Sequence, residues 1–297
     1  SWRVRTYVLN DQLVLRLSHI PSEAAEKQSH AAVLPLVPKV HATGTFPIQG
    51  MDVHYLLMAY LPGKELHACL PGMDGELADR IGCQLADFLT ELHANRDDCY
   101  DIGHYLPALP RFTGSWQEGH RRYVRLLEEQ LAEKKDDGTQ DPRIRAAFSY
   151  LDANMDALAA QSGPCFLHND FHPKNLLVEG RNVSGVVDWE CAQFGEPDFE
   201  VTHFVHWCLF PLSPETRFDR LLETMLRNLP TVMALPALDR RLTIYQLEHE
   251  LNQIVWHEGV PEERLARIDA WLGGAIGTWL DEYGFTAITT TVKCRKS

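Results

Sequence analysis

The chain has 297 residues, 45% of them hydrophobic and 23% charged, which is the composition of an ordinary globular protein long enough for a real core. No apolar run approaches the roughly 18–20 residues of a membrane span, and 28 Lys+Arg against 41 Asp+Glu leave a net charge of −13, the wrong sign for a nucleic-acid binder. Seven cysteines, odd in number and without a CxxC pair, argue against a disulfide scaffold or zinc ribbon and for a reducing cytoplasm. In chain order, RVRTYVL (3–9) and QLVLRL (12–17) flank Asn10-Asp11 and predict a β-hairpin. A helix is expected near 22–34, opened by Ser22 as N-cap with Glu23 behind it. PKVHAT and VHYLLMAY are strand candidates, and LPGKEL (61–66) breaks the pattern, so a boundary is placed at residue 61. Beyond it Leu77, Ile81, Leu85, Phe88 and Leu92 predict a helix over 76–93, and Trp116, Tyr123, Leu127 and Leu131 another over 115–135. Asp141-Pro142 reads as an N-cap followed by proline in the first turn of a third helix. GPCFLHND, NLLVEG and VSGVVDWE are short strands, and 213–228, 238–257 and 261–283 are helical again. The expected organisation is α+β: a small β-rich lobe over 1–61 and a large helical lobe over 62–297 with a short hairpin set into it.

The densest polar stretch is FLHNDFHPKN, 166–175, behind an apolar lead-in. So many polar groups beside a buried strand are costly unless something binds there. Asp170 is followed by Asn175 and then by Asp188, which closes the apolar strand VSGVV. Phosphoryl transfer needs this set: a carboxylate to orient or deprotonate an acceptor hydroxyl, and hard oxygen ligands for magnesium. Protein kinases use H-R-D-x-x-x-x-N and D-F-G for these roles; here the pattern is His168-Asn169-Asp170…Asn175 and Asp188-Trp189-Glu190.

LHNDFHPKNLLVEG…VSGVVDWECAQFGEPDFEV resembles the aminoglycoside phosphotransferase family, a branch of the kinase-like superfamily. That family reads H-G-D-x-x-x-x-N, then D-W or D-F, then G-D-P followed by an acidic residue. Echoes at LVLRL, YLLMAYLPGKEL and FLTELHA extend the resemblance over nearly the whole chain, and DWECAQFGEPDFEVTHFVHW is most similar to the hygromycin B phosphotransferase branch. The resemblance implies a two-lobed, kinase-like fold and transfer of the γ-phosphoryl of ATP or GTP, with Mg2+, to a hydroxyl of a small molecule, foremost an aminoglycoside. It implies Asp170 as catalytic base, Asn175 and Asp188 as magnesium ligands, His168 as a brace of the catalytic loop and Glu200 as a structural acceptor. Arg16 stands at the place of the phosphate-binding lysine, with Glu26 or Glu23 as its expected partner, and Met58, Ala59, Tyr60 and Leu61 form the hinge that meets the base. The chain begins at Ser1-Trp2-Arg3, inside or just after the expected phosphate-covering loop, and the first strand and Gly-rich loop are expected to be lacking. A polycationic acceptor suits the net charge of −13, with Asp198, Glu248, Asn252 and the run Glu258–Glu263 as candidate contacts. Nucleic acid and membrane are not expected partners, and the sequence predicts no oligomeric state.

Other readings stand beside this one. His168, Asp170 and His172 resemble a metallohydrolase ligand set, and His203 and His206, three apart, have metal-ligand spacing or are core or cleft histidines on a helix beneath the catalytic loop. Glu248, Asn252 and Trp256 also read as a solvated helix face, and Arg121, Arg122 and Arg125 as another. A kinase fold serving only as a binding module is the rival from another class, and a metabolic kinase acting on choline, a sugar or an amino alcohol the rival within it. A protein kinase is disfavoured, because too few residues follow Asp188 for an activation segment.

Overall fold

The computed structural model describes residues 4–19, 24–101, 111–134 and 137–285. Ser22 and Glu23, offered as a helix cap and as an alternative partner of Arg16, lie outside them, as do the first three residues. Four strands form an antiparallel sheet: β1 (Val4–Leu9), β2 (Leu13–Ser18), β3 (Val40–Ile48) and β4 (Met51–Ala59), in the order β1-β2-β4-β3. Asn10 and Asp11 both take positive φ (+52°), and the Gln12 N–H closes on the Leu9 carbonyl, so the expected hairpin turns through the left-handed residues its strand twist favours. The predicted helix after it is short, α1 (Ala24–Ser29).

Two compact units divide the chain. The first comprises Ser1–Arg96, Cys165–Gln193 and His203–Leu229, so the small sheet is grouped with the segments bearing His168–Asn175 and Asp188. Its core is built on the helix Gly75–His93, capped by Asp74, whose carboxylate accepts the Leu77 N–H at 2.7 Å. Ile81, Leu85, Phe88 and Leu89 on that helix are buried with Phe171, Leu176, Val186 and Trp189. Phe88 stacks on Phe171 at 6.4 Å, and Phe171 meets Phe204 at 5.6 Å. Gly63 in the LPG break has φ +126°, and a Cβ there would lie 2.5 Å from Ser184 Oγ and 2.8 Å from the Val178 carbonyl oxygen. Only glycine fits that turn against the hairpin Leu176–Glu179/Asn182–Val186.

The second unit comprises Asp97–Pro164, Phe194–Thr202 and Pro230–Ser297. The helix Leu238–Trp256 is buried around most of its girth, packed against Trp116–Glu133, Pro142–Asn154, Glu262–Leu272 and Ala275–Glu282. That position enforces burial on every side rather than one apolar stripe. The predicted single helix over 261–283 is two helices, broken where Gly274 takes φ +83°.

Candidate active site

The buried strand Cys165–Leu167 delivers the polar loop. His168 is fully enclosed: its Nε2 donates to the Val187 carbonyl at 2.9 Å, its Nδ1 accepts the Asp170 N–H at 3.3 Å, and its ring meets Trp189 edge-on at 4.6 Å. Both ring nitrogens are thus spent on tying the loop to the segment before Asp188, which removes His168 from any zinc set with Asp170 and His172. Among the described residues no group of three His, Cys, Asp or Glu is arranged to hold a metal by itself. Asn169 takes φ +61°, where the family motif has glycine; asparagine is the side chain that best tolerates this region, and its amide donates to the Cys191 carbonyl at 3.2 Å.

Asp170 is held at both oxygens. Oδ1 lies 3.0 Å from His203 Nδ1 and 3.4 Å from His172 Nε2, and Oδ2 accepts from Asn175 Nδ2 at 2.8 Å. Burial works to raise its pKa, but the hydrogen bonds and charge of His172 and His203 outweigh it and hold the carboxyl well below the usual carboxylate range. Burial pushes the nearby Cys191 thiol up, and the charges of Asp170 and Asp188 push it further, so this cysteine is no thiolate nucleophile.

Asn175 spends its amide nitrogen on the Asp170 carboxylate and carbonyl, leaving Oδ1 without a partner among the described residues. Its backbone carbonyl accepts the Val187 N–H at 2.9 Å, which sets Asp188 on the adjoining segment. Asp188 itself takes φ +69°, a strained conformation of the kind that persists where surrounding structure imposes it. Arg16 on β2 reaches this carboxylate with Nη1 (3.0 Å) and Glu190 with Nη2 (2.8 Å). Glu26, the expected partner, is not the one found: the guanidinium is taken by two carboxylates downstream of Val187, and Glu26 is seen only accepting from Ser29 through its carbonyl.

A cavity of about 310 Å³ opens between the sheet and the hairpin of the first unit. Met58, Ala59, Tyr60 and Leu61 form one side, Val14, Leu177 and Val187 contribute apolar wall, and Arg16 and Asp188 supply charge at the end. The Tyr60 N–H is bonded to the Gln12 carbonyl, fixing the strand exit. A slot of apolar walls with backbone at one edge and opposite charges at the end suits a planar base joined to phosphates.

The residues expected to contact an acceptor have partners of their own. Asp198 is fully buried in the second unit, in a two-point ion pair with buried Arg241 (2.6 and 3.0 Å). Glu248 is buried against His120 Nδ1 (2.7 Å), and Asn252, also buried, accepts from Trp256 Nε1 at 3.1 Å. Glu248 and Asn252 are buried, so the solvated-face reading describes only Trp256, which is 66% exposed. In the acidic run, Glu262 is paired with Arg143 and Glu263 with Arg267. Glu200 is buried in the turn of helix Pro197–Glu200.

His172 and His203, which the sequence offered only as metal ligands or as core or cleft histidines, lie against Asp170, and Glu190, which it did not single out, pairs with Arg16 beside Asp188. The signal for Glu190 was present, an acidic side chain where D-F-G has glycine. Nothing in VTHFVHW distinguished a histidine aimed at Asp170 from a core one.

A family profile described as "Phosphotransferase enzyme family" (APH) matches residues 1–243. Among solved structures, aminoglycoside phosphotransferase APH(4)-Ia is 15% identical with a TM-score of 0.68, covering 92% of this chain and 91% of that one. A thermostable mutant of the same enzyme, in a ternary complex with AMP-PNP and hygromycin B, gives 15% identity and a TM-score of 0.64 over 92% and 90%. The streptomycin–ATP–APH(2")-IIa ternary complex gives 18% and 0.61 over 90% and 87%. No curated protein matches in sequence. The structural likeness establishes the α+β, kinase-like fold. With four-fifths of its length matched by the profile and the loop, hairpin and nucleotide-sized slot in place, the chain belongs to the APH phosphotransferase enzyme family and is a phosphotransferase with an alcohol group as acceptor.

Proposed function

We propose that this protein transfers the γ-phosphoryl group of ATP or GTP to a hydroxyl of a small molecule, with magnesium bound. The observation that carries this is the continuous linkage of the three key side chains: Asp170 bonded to Asn175, and Asn175 bonded through its backbone to the residue before Asp188. Residues 1–61 are assigned as the nucleotide-binding lobe and 62–297 as the lobe carrying the catalytic loop and acceptor site. Met58 to Leu61 meet the base, and Arg16 meets the phosphates. Asp170 orients the acceptor hydroxyl and takes its proton, its low pKa keeping it in the accepting form. His168 and Glu200 support the loop.

The residues fit a magnesium ion of the kind phosphoryl transfer uses. Asn175 presents a carbonyl oxygen left over from its other bonds, and Asp188 a carboxylate; two hard oxygen donors, with phosphate oxygens and water making up the rest, match the preference of Mg2+ for few protein ligands. When bound, the ion neutralises charge on the transferring phosphate. The six described cysteines are all free thiols, which supports a cytoplasmic setting, and no helix among the described residues is long and apolar enough to cross a membrane.

For the acceptor, the family resemblance and the names of the solved neighbours support an aminoglycoside, and the charge of −13 suits a polycation. A metabolic acceptor such as choline, a sugar or an amino alcohol is the second reading, favoured by the enclosure of Asp198 and Glu248, which withdraws two of the carboxylates expected to hold a polycation. A nucleotide-turnover screen over aminoglycosides, macrolides, choline and simple sugars, at low and high salt, separates the two. Salt-sensitive turnover with a cationic aminosugar supports the first, since exposed charges are screened over about 8–10 Å. Turnover only with an uncharged acceptor selects the second, and no turnover with any acceptor rejects the kinase reading. In a sensitive bacterium the aminoglycoside reading also requires raised resistance that Asp170→Ala abolishes.

A further inference from the structure

Arg16 departs from the lysine expected at its place, and its geometry gives that departure a use. Val14, Arg16 and Ser18 alternate onto one face of β2, where Arg16 divides the 310 Å³ slot from a second cavity of about 190 Å³ lined by Thr43, His54 and Glu190. Its side chain is only 17% exposed, and its two terminal nitrogens go to different carboxylates: Nη1 to Asp188 at 3.0 Å, Nη2 to Glu190 at 2.8 Å. Glu190 is anchored in turn, its backbone carbonyl accepting from Lys27 Nζ at 3.0 Å.

A guanidinium and a divalent cation cannot both sit close on Asp188 without repelling one another. An ammonium has one nitrogen and would have to leave as a whole. A guanidinium has a fork, and one tine can be released while the other stays bonded. Glu190 is the carboxylate on which it stays.

We propose that Glu190 positions Arg16 for the nucleotide phosphates, the part expected of Glu26, and that Arg16 is the resident cation of Asp188 until metal and nucleotide displace it. The proposal rests on the phosphotransferase reading. Glu190 is a positioning residue, acting through Arg16 and touching neither metal nor nucleotide. The Arg16–Glu190 bond persists through the exchange, and Arg16 turns about it from Asp188 toward the phosphates.

The test is a calorimetric cycle on the full chain with Mg-ADP as probe, using wild type, Glu190→Gln, Arg16→Ala and the double variant, alongside Mn2+ binding to the nucleotide-free protein. Glu190→Gln is expected to weaken Mg-ADP binding roughly 10-fold, the loss of one charge-assisted hydrogen bond, and to raise the nucleotide KM more than it lowers kcat. In the Arg16→Ala background the same change is expected to cost less than about two-fold, because the residue acts only through Arg16. Arg16→Ala alone is expected to tighten Mn2+ binding by vacating Asp188. Additive losses in the cycle, or undiminished Mg-ADP binding by Glu190→Gln, overturn the role of Glu190 while leaving the kinase reading intact. Weaker Mn2+ binding by Arg16→Ala overturns the exchange at Asp188. A wild-type protein that binds no Mg-ADP overturns both the proposal and the reading beneath it.

Discussion

His203 Nδ1 lies 3.0 Å from Asp170 Oδ1, so the proposed base is gripped by a histidine on one oxygen and by Asn175 on the other. Burial alone would raise the Asp170 pKa; His172 and His203 are what hold it down. Asp170 is competent as a base only when ionised, above its pKa. His203→Ala therefore moves the acid limb of the pH–kcat profile to higher pH, leaves nucleotide KM near wild type, and is partly rescued by His203→Asn. An acid limb that stays in place would show that His203 does not tune the base.

Asp170→Ala is expected to lower turnover by ~10²–10⁴, the usual contribution of a positioned base. Affinity for the metal–nucleotide should be unchanged, because Asp170 serves the acceptor. Single-turnover kinetics beside calorimetry measure the two separately, and a parallel loss in both would reassign the residue.

Asp188→Ala is expected to abolish Mg-dependent nucleotide binding while weaker, metal-independent binding survives in the apolar slot of Val14, Leu177 and Val187. Titrating ADP with and without Mg2+ checks this: the difference between the two isotherms should vanish. A surviving metal dependence would place the ion elsewhere.

The parts of this molecule written in local pattern were legible, and those decided by distant partners were not. Asn10-Asp11 announced its hairpin, and Asp141-Pro142 its helix start, where the Asp141 carboxylate accepts the Arg143 N–H at 2.8 Å. The motif spacing marked Asp170, Asn175 and Asp188 as a chemical set because all three lie on one loop and the hairpin beside it. Asp198, Glu248 and Asn252 looked available because charge and polarity usually mean surface. The partners of the two acids, Arg241 for Asp198 and His120 for Glu248, are supplied from far along the chain. The same blindness cost the Arg16–Glu190 pair, whose members lie on opposite sides of most of the first unit's sequence.

Arg241 and Asp198 give a stability prediction that separates structure from substrate contact. Both side chains are wholly buried, and Arg241 also donates to the carbonyls of Ala157 (2.9 Å) and Ala160 (2.7 Å). Arg241→Ala leaves a buried carboxylate unpaired and is expected to cost about 3–5 kcal/mol in urea unfolding. Any Asp198→Ala protein that folds should keep its acceptor KM, whereas a raised KM would return Asp198 to the acceptor site.

Glu196 carries a lesson about how this lineage can change. Its buried carboxylate accepts from the Tyr100 hydroxyl and the Gly163 N–H (3.0 Å) on Oε1, and from the Ser162 N–H (2.7 Å) and hydroxyl (3.0 Å) on Oε2. The family pattern has aspartate here, one carbon–carbon bond shorter, or about 1.5 Å. The Ser162–Gly163 turn is thus spaced for the longer acid, and a lone Glu196→Asp change is expected to strand several buried donors at once. Close relatives are expected to keep the glutamate together with this turn, or to exchange both.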